Sequence, residues 1–113
     1  MARAGKLNRR FRFEQRADQD DGYGNTKAVW SAVFTHAGSR RFLRGGETVQ
    51  AARLEGRQPV IVKIRSSAAS RAVTTDWRAV DARSGEIYNI RTVNPTDDRK
   101  YIEFMCEAGV ADG

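Results

Sequence analysis

Few residues in this sequence could do chemistry, and each lacks the company it would need. Asp18, Asp20 and Asp21 stand before Gly22, the raw material of a calcium loop. An EF-hand loop takes oxygen ligands at alternating positions, a glycine at its sixth and a glutamate at its twelfth. Counted from Asp18, the glycine comes one residue early and the twelfth position is Val29, so an acidic turn is the better reading. His36 is the single histidine and Cys106 the single cysteine, which excludes a histidine metal cluster, an internal disulfide and a cysteine-built metal site. Gly45-Gly46 lacks the Lys-Ser or Lys-Thr of a phosphate-binding loop. Ser66, Ser67 and Ser70 read as loop residues outside any Gly-x-Ser-x-Gly turn. The carboxylates are scattered, with no spacing that pairs a general acid with a base. The expectation is a protein that is not an enzyme and takes no metal or cofactor.

Arginine is the abundant functional residue. The chain has 113 residues, with 20 Lys and Arg against 14 Asp and Glu, a formal charge of +6. Its pI is about 10.1. Residues 1–65 carry 14 basic and 6 acidic side chains, whereas residues 66–113 carry 6 and 8. Arginine supplies 16 of the 20 cations, and its planar fork suits phosphate and carboxylate. Two readings of the basic half remain open: sequence-independent contact with nucleic acid, or contact between a basic edge and an acidic edge of another subunit. The asymmetry suits head-to-tail assembly of identical chains. The first ten residues have no apolar stretch behind their basic ones, and no segment approaches the ~18 continuous apolar residues of a membrane span. A soluble protein of a reducing compartment is expected.

The elements that must position these arginines show period-two alternation. In residues 8–15, Phe11 and Phe13 oppose Arg10, Arg12 and Glu14; in residues 27–35, Ala28, Trp30, Ala32 and Phe34 oppose Val29, Ser31 and Val33, as a central strand would. Residues 59–65 form a β-branched run that opens on Pro59, where a strand tolerates a missing donor. Residues 77–82, 86–93 and 99–107 read as a meander, with a turn at Arg83-Ser84-Gly85 and another at residues 94–98. In the closing strand Cys106 shares a face with Ile102 and Phe104, as a small core residue. Two segments break the rhythm. Residues 17–26 are a polar loop, and residues 36–58 a long connection between the second and third strands. Within it, Glu47 to Leu54 has the spacing for two helical turns, with Gly56 as terminator. The sum is an all-β, single-domain barrel of about six strands spanning residues 1–113, with residues 108–113 a flexible C-terminus.

The order of short motifs carries a resemblance. Ala4-Gly5-Lys6-Leu7-Asn8-Arg9-Arg10 leads into the first strand, followed by Asp21-Gly22-Tyr23-Gly24-Asn25 and a strand with Val29-Trp30-Ser31-Ala32-Val33. Gly45-Gly46-Glu47, Val62-Lys63-Ile64-Arg65, Gly85-Glu86-Ile87-Tyr88-Asn89-Ile90 and a last strand ending at Cys106 complete it. Over about residues 4–107 this succession resembles the phage head-tail joining family, also called head-closure, stopper or head-tail adaptor proteins. Its members occur in long-tailed phages, prophages and gene transfer agents.

The resemblance implies a small β-barrel that works in the virion as a homo-oligomeric ring, made in the bacterial host cytoplasm. One side of the ring would meet the portal or adaptor ring, the other the tail terminator or tail tube, with packaged DNA in the channel and no membrane contact. It also implies that the loop between the second and third strands reaches the channel and helps retain DNA. Here that loop holds Arg40, Arg41, Arg44, Gly45, Gly46, Arg53 and Arg57, the candidates for a channel or subunit-interface element. Phosphate contacts from such arginines would be sequence-independent and salt-sensitive. The alternative is a sequence-independent nucleic-acid-binding barrel of the OB kind, which needs exposed aromatics for base stacking.

Overall fold

The computed structural model describes residues 7–109. Six antiparallel strands close a barrel in the order β1-β2-β3-β6-β5-β4. They are β1 (Arg9–Asp20), β2 (Thr26–Phe42), β3 (Gln58–Arg65), β4 (Trp77–Asp81), β5 (Ile87–Pro95) and β6 (Tyr101–Ala108). Helix α1 (Glu47–Leu54) lies between β2 and β3, and the single turn α2 (Ala68–Arg71) between β3 and β4. The barrel closes because β1 pairs with β4 as well as with β2.

Alternation fills the interior. Phe11, Phe13, Val60, Val62, Ile64, Ala79, Tyr88, Phe104 and Cys106 are fully buried in one cluster. Phe13 stacks on Phe34 at 4.9 Å between ring centroids and meets Phe104 at 5.3 Å. Burial pushes the Cys106 thiol up to about 12, so it is a packed core group and not a nucleophile. On the inner face of β2, Gly38 lets Ile64 and Phe11 close in: a Cβ there would lie 2.7 Å from Ile64 Cγ2 and 2.7 Å from the Lys63 carbonyl oxygen.

Several boundaries depart from the sequence reading. The first two strands are longer than expected, so the polar loop over 17–26 shrinks to a turn at residues 21–25. Arg16, Asp18 and Asp20 continue the alternation of β1, and pairing to β2 runs on to Asp20↔Thr26. The long connection also contracts. Residues 36–42 belong to β2, which leaves residues 43–57 with α1 inside them. At the other terminus Ala108 is the buried last residue of β6, so a flexible tail cannot begin there; residues 110–113 lie outside the described part.

The serines near residue 67 are not loose loop positions either. Ser67 caps α2: its Oγ accepts from the Ser70 backbone N–H at 3.1 Å, while Ser70 Oγ accepts from the Ser67 N–H at 2.7 Å. Ser70 Oγ also donates to the Arg65 carbonyl at 3.0 Å, which closes the connection onto the barrel.

β2 is not the central strand the sequence suggests: it has strands on both sides only at Gly38. β4 covers β1 only at Phe11–Gln15, and β3 covers β2 only at Gly38–Phe42. The remainder, Arg16–Asp20 against Thr26–Trp30, is a two-stranded arm beyond the barrel, and the chain reaches 52 Å in its longest dimension. A bulge marks the boundary: Phe13 pairs with Phe34 and Glu14 with Ala32, leaving Val33 unpaired and 51% exposed.

Candidate assembly surfaces

The arginines of the basic half fall into two groups, those spent inside the chain and those left over. Arg40 is in the first group. Its Val62 neighbour in register faces the core, so the Arg40 side chain enters the end of the barrel. There its Nη1 donates to Tyr88 Oη at 2.8 Å, and Tyr88 Oη donates to Glu86 Oε1 at 2.5 Å. Burial, with the Glu86 hydrogen bond, pushes the Tyr88 phenol up to about 12. The Arg40 guanidinium also lies 4.5 Å from the Phe42 ring centroid. At the same end Arg9 Nη1 donates to Asp81 Oδ2 at 2.9 Å. Burial alone would raise the Asp81 carboxyl, but the N–H groups of Ser84 and Arg83, with Arg9, outweigh it and hold it below its ordinary value.

Arg57 is also spent. It pairs with Glu55 and, at 2.9 Å, with Glu107, which in turn accepts from Arg91 at 3.0 Å. On the outer wall Glu14 accepts from Arg12 and from Arg78, each at 2.7 Å, and Arg78 lies 4.3 Å from the Trp30 ring centroid. Burial pulls the Glu14 carboxyl upward; the two arginines override it and hold it below the usual range.

Among the candidate arginines of the long connection, Arg41, Arg44 and Arg53 make up the second group. Among the described residues they have no side-chain hydrogen bond or ion pair, and all three are exposed. Arg41 points outward from the end of β2, Arg44 precedes the two glycines, and Arg53 sits in the last turn of α1. Gly45 and Gly46 both have positive φ, 77° and 80°, with open space where a Cβ would be, so this corner needs glycine for its backbone and not for packing. Of the candidate residues, then, the structure gathers Arg44, Gly45, Gly46 and Arg53 on one connection, sets Arg41 beside it, and withdraws Arg40 and Arg57 into intramolecular pairs.

Three solvent-facing features were missed by sequence reasoning. Tyr23 is 88% exposed at the tip of the arm. The arm itself was legible in the period-two run through Ala17 and Gln19 but hidden by its polar composition. A groove of about 250 Å³ between α1 and the outer wall, floored by Leu43, Val49, Ala52, Pro59 and Met105, has no local sequence signature.

Against this geometry, comparison with known proteins is decisive at the level of family. The sequence model described as phage head completion protein matches residues 2–109. The chain belongs to the phage head completion protein family. It is accordingly a structural component of the virion, acting at the head.

Two solved structures share the fold. The solution structure of protein SF1141 from Shigella flexneri 2a is 18% identical with a TM-score of 0.69, covering 98% of this chain and 100% of that one. A chain from the virion of a native gene transfer agent particle is 20% identical with a TM-score of 0.62, covering 91% of this chain and 94% of that one. No curated protein matches. In a family of this kind the leftover cations are the informative ones, since those already paired within the chain are poorer ligands for a partner. Phe11 and Phe13, which alternate with arginine in the first strand, are both fully buried and offer no base-stacking face.

Proposed function

We propose that this head completion protein assembles as a homo-oligomeric ring that closes the DNA-filled capsid below the portal or its adaptor and gives the tail its docking surface. The observation that carries the reading is the set Arg41, Arg44 and Arg53: exposed, unpaired, and concentrated on or beside one connection of a family whose members complete phage heads. A single copy offers only a few such charges. A ring repeats them around an axis, so weak contacts to portal, tail or DNA phosphate become collectively strong. The connection over residues 43–57, with Gly45-Gly46 at its bend, is the channel or subunit-interface element of this ring. The +6 charge then serves partners that are themselves acidic, with no need to read base sequence.

The test is deletion of this gene from its phage or particle-producing strain. Particles that leak DNA or remain tailless are expected, with recovery on complementation. Normal, full, tailed particles from the deletion strain would overturn the proposal.

A further inference from the structure

The groove beside α1 and the tip of the arm are solvent-facing apolar features of the described residues, and they lie at opposite ends of β2. The strand has 17 residues and so spans on the order of 50 Å. The two features therefore cannot meet within one molecule. They can meet between two.

Their shapes and charges correspond. A cavity of about 150 Å³ suffices for a benzene ring, and the groove offers about 250 Å³ over an apolar floor. Tyr23 is an exposed aromatic on a turn fixed by its own carboxylates: the Tyr23 N–H donates to Asp21 Oδ1 at 2.7 Å and the Gly22 N–H to Asp20 Oδ1 at 2.9 Å. The tip carries Asp18, Asp20 and Asp21; Arg16 lies 3.9 Å from Asp18, and Lys27 stands opposite Gln19 on the neighbouring strand. The groove is flanked along the chain by Arg44, next to Leu43, and Arg53, next to Ala52, both without a side-chain partner among the described residues. The groove is also lined by Arg57, Arg91 and Glu107, so the tip is acidic on balance and the groove basic on balance.

We infer that the Tyr23 ring of one copy seats in the α1 groove of a second copy, with the aspartates of the tip facing Arg44 and Arg53. The inference rests on the ring reading above and names the contact that would build it. Such a contact joins unlike faces of identical chains, the heterologous arrangement that closes into a ring when the rotation permits. It assigns Arg44 and Arg53 to the neighbouring subunit and leaves Arg41 for other partners. The phenol hydroxyl stays at the rim, so the ring and not the hydroxyl supplies the burial.

The experiment is a paired cysteine substitution, Tyr23→Cys with Val49→Cys, produced in the particle-forming strain. The native Cys106 is fully buried and stays silent. Mild oxidation of purified particles should give a ladder of disulfide-linked multimers on non-reducing gels, while either single substitution gives none. Particles that contain the protein as a ring by electron microscopy yet yield no ladder would overturn the contact and leave the ring reading standing. Particles that contain one copy only would overturn both.

If the cysteine pair prevents incorporation, Tyr23→Phe and Tyr23→Ala decide. The phenylalanine variant should enter particles as the parent does, and the alanine variant at about 30-fold lower affinity, the loss expected for a buried aromatic anchor. Equal incorporation of the two would sink the inference.

Discussion

The two halves of the β1–β2 hairpin share one register and one pair of strands, yet they are held differently. Phe11–Gln15 pairs with β2 on one side and β4 on the other, and its inward rings are fully buried. Arg16–Asp20 pairs with β2 alone, and every residue in it is exposed. The first half is part of a closed wall. The second is a ribbon with two open edges, of a kind that natural proteins leave long only where something covers them or charge protects them. The barrel closes on its own core, and the arm and the β2–β3 connection stand outside it. That division separates folding from assembly within a single small domain.

If the division is real, the barrel half should respond to substitution far more strongly than the arm. Phe13→Ala removes a ring in contact with both Phe34 and Phe104 and should cost about 3–5 kcal/mol in urea unfolding. A loss under 1 kcal/mol would mean the interior is loosely packed and the comparison mistaken. Gly38→Ala should come next, because its new Cβ would press on the Lys63 backbone as well as on Ile64. Overpacking of this sort costs roughly 1–3 kcal/mol, visible as a lower melting temperature with the secondary structure unchanged.

Glu14 sharpens the comparison at the point where wall becomes arm. Its carboxyl titrates lower in the folded chain than in the unfolded one, as does that of Asp81. The unfolded chain therefore binds protons first on acidification. The stabilisation is full above the ordinary carboxylate range near pH 4, and it fades as pH falls through the folded values. Glu14→Gln should destabilise the chain by about 1–2 kcal/mol at neutral pH, since Arg78 loses its charged partner there. The gap between parent and variant should narrow as pH falls below about 4. A constant gap from neutral pH to pH 3 would show that the Glu14 charge contributes nothing.

Much of the barrel was legible because a closed sheet imposes period two on the sequence, and Phe11, Phe13, Ile102, Phe104 and Cys106 all fall on its inner side. The ends of elements were less so. Residues 17–20 continue β1, but with solvent on both faces they carry no apolar marker, and Asp20, Asp21 and Gly22 read as turn from the start. Arg40 misled for the opposite reason. A charged residue in a polar stretch reads as a surface loop position, whereas its neighbours in register, Val62 on β3 and Phe104 beyond it on β6, place it on the inner face, where Tyr88 and Glu86 receive it. Register across strands 20 and more residues apart is not written in any local window. The groove under α1 was out of reach on the same ground, because Val49 and Met105 meet only after β3 and β6 have paired.

The smallest expected effects belong to the arm, and they are the sharpest test of the division. In an antiparallel ribbon, alternate residues direct their N–H groups to the partner strand and the rest direct theirs outward. Over Thr26–Trp30 the outward amides face no strand, whereas over Phe11–Gln15 β1 has β2 on one side and β4 on the other. Amide hydrogen exchange of the free chain should show every second position between residues 26 and 30 exchanging quickly, against protection throughout residues 11–15. Tyr23→Ala should leave this pattern and the unfolding free energy unchanged within about 0.5 kcal/mol, as for other exposed positions. Protection at residues 26–30 equal to that at residues 11–15 in the free monomer would erase the distinction, since the arm would then be held as firmly as the wall.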